Sequence, residues 1–204
     1  MTTRKEHWEK VYETKQPHEV SWTQQLPKTS LEFLHSFNLP KTASIIDICG
    51  GDSKLVDYLL DEGYEDVSVL DISAKAIERA KQRLGNKAQM VNWIVSDVTE
   101  FNPAKTYDCW HDRAAFHFLT TATDIDTYLN TARQSVKNFM VIGTFSDKGP
   151  KKCSMLDVHQ YTEEQLQEQL HNGFEKIKCV TEDHTTPFNT TQNFLFCSFK
   201  RHDS

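Results

Sequence analysis

Three observations in this 204-residue chain predict an α/β fold on a doubly wound, mostly parallel sheet. Strand-like and helix-like segments alternate along it. The run Ile45-Ile46-Asp47-Ile48 carries an acid and is followed by Cys49 and the paired glycines Gly50 and Gly51. Such a turn lets backbone approach a ligand at the carboxyl end of a strand. The last two strand-like runs have no helix between them, so an antiparallel hairpin should close the sheet, with helices on both faces of the rest.

The elements follow in order. A short helix is predicted over 4–12, then a loop over 17–22 and a helix over 29–37 whose apolar positions are Leu31, Phe33, Leu34 and Phe37. The first strand is 44–49. A helix over 54–62 follows, with Ser53 as N-cap and Gly63 as its stop. The second strand, 67–71, ends in Asp71. Ser73 caps the next helix, which carries Ile77, Ala80 and Leu84 and stops at Gly85. Strands are expected around 93–95, 107–111 and 139–145, with a helix over 125–136. Thr162 caps a helix through Leu170, with Glu164 and Gln165 near the capping-box position. Strands over 174–181 and 192–201 complete the hairpin.

Bulk properties narrow the function. Hydrophobic content is 38%, charged content 25% and the formal net charge −6. These values suit one globular domain able to bury roughly 70% of the surface its unfolded chain exposes. Without a basic block, no nucleic-acid partner is expected. No run of about 18 apolar residues is present and the first residues lack an apolar core, so neither membrane span nor signal peptide is expected, and the chain reads as cytoplasmic. Five cysteines with no C-x-x-C pair argue against a disulfide framework or zinc site and predict reduced thiols. Nine histidines show neither H-x-x-x-H nor H-E-x-x-H spacing, so no metal is expected.

Asp71 ends the strand after the glycine turn, the position from which a carboxylate grips two ribose hydroxyls in an open α/β sheet. Asp47, Gly50, Gly51 and Asp71 together therefore predict a nucleoside-bearing cofactor. A nicotinamide dinucleotide is disfavoured, because G-x-G-x-x-G is absent and the terminal hairpin is foreign to that reading.

Over nearly its whole length the chain resembles the class I S-adenosylmethionine-dependent methyltransferases. Their D-x-G-x-G-x-G loop stands here as Asp47-Ile48-Cys49-Gly50-Gly51-Asp52-Ser53, with Cys49 and Ser53 replacing the outer glycines. Asp71 matches the acid ending the second strand, and Asp97 in Ser96-Asp97-Val98 the acid near the adenine. The closing hairpin matches the sixth and seventh strands, which implies a seven-stranded Rossmann-like sheet. His7-Trp8, Tyr12 and Ser21-Trp22 resemble the N-terminal lid of a small subgroup known mainly from bacteria, as do Trp110 to Leu119, Gly149 to Ser154, and His184 to Pro187 with Gln192 and Phe194.

The resemblance implies a single methyltransferase domain over 1–204, with a helical lid over 1–40 and a core over 41–204. It implies S-adenosylmethionine as cofactor and S-adenosylhomocysteine as product, bound by Asp47, Gly50, Gly51, Asp71, Ile72, Asp97, Val98 and Trp22. The segment after the fourth strand is where this fold places the acceptor, so Asp112 and Arg113 are candidate substrate residues, with Tyr12, His159 and Tyr161. His117 and His111 are the candidate general bases, because imidazole titrates near neutral pH. The expected reaction is direct displacement of the methyl group onto a nucleophile. A small-molecule acceptor is favoured over a protein lysine, and the chain is expected to act as a monomer or weak homodimer. From another class, a non-catalytic interaction protein that keeps the fold would account for the altered loop.

Overall fold

The computed structural model describes residues 3–202; the domain limits expected at 1 and 204, and the start of the leader reading, lie outside it. Seven strands form one sheet: β1 (Ser44–Ile48), β2 (Asp66–Asp71), β3 (Val91–Val95), β4 (Tyr107–Arg113), β5 (Val136–Phe145), β8 (Phe174–Thr185) and β9 (Thr191–Arg201). Their order is β3-β2-β1-β4-β5-β9-β8. The first five pair in parallel, while β9 runs antiparallel to both β5 and β8. The order reverses between β1 and β4, and the crevice outside their carboxyl ends is where such sheets bind ligands.

The helices are α1 (Arg4–Thr14), α2 (Lys28–Ser36), α3 (Leu55–Asp61), α4 (Ala74–Leu84), α5 (Ala122–Ser135) and α6 (Glu163–Leu170). Alternation along β1 explains why both faces carry them. Ile45 packs with Leu31, Leu34, Leu55 and Leu59 from α2 and α3. Ile46 and Ile48 point the other way, into a core with Tyr128 and Leu129 of α5 and Leu166 and Leu170 of α6. Each aliphatic side chain so buried contributes roughly 1.5–3 kcal/mol of transfer free energy. The caps at Ser73 and Thr162 form as the sequence predicts, and Gln165 completes the capping box.

Three details differ. Lys54, not Ser53, is the N-cap of α3, and the Ser53 hydroxyl accepts from Leu55 N at 3.1 Å. A small hairpin, β6 (Lys152–Cys153) and β7 (Leu156–Asp157), sits between β5 and α6. Its turn residues Ser154 and Met155 both have positive φ, a conformation that no apolar period announces. Finally, Cys179 and Cys197 are joined by a disulfide across the directly paired positions of β8 and β9, with Cα atoms 4.1 Å apart. The expectation of reduced thiols is corrected for these two; Cys49, Cys109 and Cys153 are free. An odd cysteine count concealed a pair that only strand register brings together.

Candidate functional site

The turn after β1 is tighter than its glycine pattern suggests. Cys49, where the resembled family carries glycine, has φ of 55°. A non-glycine residue in this left-handed region carries strain of about 1–2 kcal/mol. Gly50 and Gly51 are needed for space. A β-carbon on Gly50 would overlap Asp47 Oδ2, and one on Gly51 would lie 2.7 Å from both Asp71 Oδ2 and the Ala76 β-carbon. Gly51 N–H donates to Asp71 Oδ2 at 3.0 Å, and Ser73 N–H donates to Asp71 Oδ1 at 2.8 Å. Asp71 is thereby fixed at the mouth of the crevice. Burial pushes its carboxyl up to about 7, against the pull of those two donors.

Beside it, Asp47 is buried, and its Oδ1 lies 2.7 Å from His111 Nδ1. Among the described residues Asp47 Oδ2 has no partner. A buried carboxylate oxygen left open beside a glycine turn fits a ligand donor such as an ammonium group.

Two cavities meet above this turn, of about 80 and 50 Å3. Tyr12, Trp22, Cys49 and Arg113 line both, so they are halves of one cleft. Asp71, Ile72, Asp97, Val98 and Arg4 line one end of the larger half; Phe118, Phe145, Cys153 and Phe194 line the other. Asp47, Gly50, Asp52, Lys54 and His111 line the smaller half.

Helix α1 roofs the cleft and is held at several points, among them an ion pair between Glu13 and Lys75 of α4. Arg4 Nη1 donates to both Asp97 oxygens at 3.0–3.1 Å, and its Nη2 reaches Asp124 at 2.9 Å. The Glu9 carboxylate accepts from Ala74 N, Lys75 N and Ser73 Oγ at the start of α4. Arg79 donates to the carbonyls of Tyr12 and Lys15. The roof's inner surface is aromatic, with Trp8 edge-on to Trp22 and Phe118 at ring-centre distances of 5.7 and 5.1 Å.

The sequence candidates therefore separate. Asp47, Gly50, Asp71, Ile72, Asp97, Val98, Trp22, Tyr12 and Arg113 line the cleft, and Gly51 braces it through Asp71. Asp97 arrives already paired with Arg4. His111 lines the polar half, but both ring nitrogens are engaged, Nδ1 with Asp47 and Nε2 with the Ser30 hydroxyl at 2.8 Å.

His117, the other expected base, lies in the core stacked on Phe145 at 4.3 Å, and does not line the cleft. Its Nδ1 accepts from Phe145 N, and burial, helped by Arg113, pushes its pKa down to about 3. No lone pair faces a substrate, so its placement does not serve as a base. Asp112 is buried outside the cleft, accepting from Tyr128 OH, Ala115 N and Phe116 N, which makes it a brace for the turn after β4. His159 is exposed, and Tyr161 packs into the α5 side of the core against Phe116. Neither faces the cleft. A base placed by proximity in sequence to a strand end fails here because the chain turns inward after Arg113.

Sequence reasoning missed Arg4, Glu9, Phe145 and Phe194. Arg4 and Glu9 lie on the exposed-looking stripe of a helix whose partners are distant in sequence, and no local pattern marks them. Phe145 and Phe194 are paired across β5 and β9, so strand register alone puts them side by side.

Residues 45–138 match the family model described as "Methyltransferase domain". This is the segment that carries the glycine turn, Asp71, Asp97 and Arg113. Over these residues, a little under half of the chain, it is similar to the class I S-adenosylmethionine-dependent methyltransferases. A mouse methyltransferase named "eEF1A lysine and N-terminal methyltransferase" is 26% identical over 117 residues, 57% of this chain and 16% of that protein. "Malonyl-(acyl-carrier protein) O-methyltransferase 1" of Ilyobacter polytropus is 40% identical over 53 residues, 26% of this chain and 19% of that protein. The aligned part thus spans less than a fifth of either relative. A solved S-adenosylmethionine-dependent methyltransferase from Anabaena variabilis superposes with a TM-score of 0.74 at 15% identity, covering 98% of this chain and 96% of that one; it shares the fold. Among the described residues, no helix is long and apolar enough to cross a membrane.

Proposed function

We propose that this methyltransferase transfers the methyl group of S-adenosylmethionine to a nucleophile on a small molecule. Asp71 holds the ribose hydroxyls, Ile72 and Val98 flank the adenine with Asp97 beside them, and Asp47 Oδ2 takes the amino group. Gly50 and Gly51 give the turn its close approach. The bound cofactor supplies a methyl group already activated on a positively charged sulfur. The protein aligns the partners and keeps water out, an arrangement that in general is worth roughly 7–11 kcal/mol. Trp22 and Tyr12 supply aromatic faces that favour a sulfonium over water. Residues 1–40 act as the lid and 41–204 as the core.

The observation that carries this reading is the continuity of the two cavities around Tyr12, Trp22, Cys49 and Arg113. Donor-binding residues and an enclosed aromatic end share one space. A protein-lysine acceptor is the second reading, supported by the name of the mouse relative. The strained Cys49 supports the third, a fold kept without catalysis.

Thermal unfolding with S-adenosylmethionine, S-adenosylhomocysteine or NAD tests the donor. A ligand at about 100 times its Kd stabilises by about 2.7 kcal/mol. For a domain of this size the midpoint should rise by roughly 5–10 °C with the two adenosyl ligands and stay put with NAD. No rise with either adenosyl ligand would leave the third reading standing.

A further inference from the structure

Arg113 is a buried cation of the cleft lining that feels Glu182 and Asp47 only at a distance. Arg4 is paired with Asp97 and Asp124, whereas among the described residues no carboxylate lies within ion-pair distance of Arg113. Its Nη1 donates to the Trp22 carbonyl at 2.9 Å, its guanidinium stacks over the Phe194 ring at 4.8 Å, and its Nε and Nη2 are buried without partners. Those two nitrogens lie on one edge of the planar fork, the edge that binds a carboxylate with two parallel hydrogen bonds. Buried donors left unmatched are costly, so a site that keeps them is shaped for an acceptor group from a ligand.

A second observation concerns proton removal. At the aromatic end, Cys153 is the group other than Arg113 that titrates, and burial pushes its thiol up to about 11. Tyr12, at the junction, is pushed above its ordinary range by burial and by Asp71. His111 and His117 are engaged as described. Among the described residues that border Phe118, Phe145 and Phe194, neither Cys153 nor Arg113 takes a proton at neutral pH, and Asp71 lies at the other end, so the fitting nucleophile is one already deprotonated in solution.

We propose that the acceptor is an apolar small molecule bearing a carboxylate, that Arg113 docks this carboxylate, and that one of its oxygens receives the methyl group. The apolar body lies against Phe118, Phe145 and Phe194. A carboxylate oxygen forms the new O–CH3 bond, the S–CH3 bond breaks, and its electron pair stays on sulfur. The products are a neutral methyl ester and the thioether S-adenosylhomocysteine, and no proton moves. A lysine side chain fits poorly here, since an ammonium would face Arg113 and would need a base. The proposal rests on the methyltransferase reading above.

The test uses the full chain saturated with S-adenosylhomocysteine. Hexanoate, phenylacetate and 3-phenylpropionate are titrated beside their primary amides and primary amines, and Kd is read by calorimetry. At least one carboxylate should bind tenfold or more tighter than its amide, and its amine should bind weakest. Arg113→Gln should erase that preference, while S-adenosylhomocysteine binding stays within about threefold of wild type. Arg113→Lys, which keeps the charge and loses the fork, should retain part of it. With S-adenosylmethionine in place of the product, the preferred carboxylate should yield its methyl ester by mass spectrometry.

No carboxylate preference in the wild type would overturn the proposal. So would a loss of tenfold or more in S-adenosylhomocysteine affinity in Arg113→Gln, because Arg113 would then be reading the cofactor's own carboxylate. Failure of wild type to bind S-adenosylhomocysteine would sink the donor reading itself, and the proposal with it.

Discussion

Glu9 reaches from the roof helix to Ser73, the N-cap of α4, and accepts its hydroxyl at 2.9 Å while also taking the N–H groups of Ala74 and Lys75. A carboxylate is thus lodged on the positive end of a helix dipole whose own strand delivers Asp71. Helix α1 and the start of α4, where Ser73 N–H also holds Asp71, are tied through one residue pair.

Glu9→Ala should therefore cost about 1–2 kcal/mol, the usual range for a lost helix cap. It should also weaken S-adenosylhomocysteine binding, measured by calorimetry, since α1 loses one of its anchors. Burial raises the Glu9 pKa, but the donors on Ala74, Ser73 and Lys75 outweigh it and leave the pKa lowered. A depressed acid contributes stability above its unfolded pKa of 4.5 and loses it as pH falls through the folded value. Chemical denaturation of wild type and Glu9→Ala should accordingly converge as pH falls from 4.5 through the lowered folded value.

Asp71 titrates in the opposite sense. Its folded pKa of about 7 lies above the ordinary 3.8, so the contribution to ligand-free stability is full below 3.8 and is lost as pH rises through about 7. Ribose hydroxyls donate to the ionised form, so ligand affinity runs the other way. Kd for S-adenosylhomocysteine should weaken about tenfold between pH 8 and pH 6. Asp71→Asn should bind weakly with a flat profile over that range; an unchanged slope in the variant would remove Asp71 from the site.

Cys49 allows strain and packing to be separated. Cys49→Ala removes the thiol but keeps a β-carbon at φ of 55°, whereas Cys49→Gly relieves the backbone. The glycine variant should be more stable than the alanine variant by about 1 kcal/mol, from urea unfolding midpoints. Equal stabilities would mean that the turn carries no strain.

Gly51→Ala introduces a methyl group 2.7 Å from Asp71 Oδ2 and the Ala76 β-carbon. The fold should survive with a loss of about 1–3 kcal/mol, typical of overpacking. Cofactor affinity should fall more than tenfold, because the Gly51–Asp71 hydrogen bond cannot persist at its present length.

The architecture was legible because it is written in local periods and punctuation. Strand β1 alternates around Ile45 and Ile46, Ser73 and Thr162 cap their helices, and Gly63 and Gly85 stop theirs. The glycine-turn part of the cleft was legible for the same reason, since Asp47, Gly50 and Asp71 sit at or beside strand ends. The aromatic end is assembled from register and chain reversal. Phe145 meets Phe194 across antiparallel strands, and Trp22 reaches Arg113 from far along the chain. His117 illustrates the cost of reading by adjacency. Four residues past Arg113, its ring lies in the core because the turn braced by Asp112 points it there.

The four residues common to both halves of the cleft carry a consequence for how this protein can change over generations. Tyr12, Trp22, Cys49 and Arg113 each touch the space for both ligands. Drift toward a new acceptor that alters Tyr12, Trp22 or Cys49 also alters the hold on the donor. Innovation is easiest at Phe118, Phe145, Cys153 and Phe194, which border the far end alone, and paralogues with new specificities should differ there first.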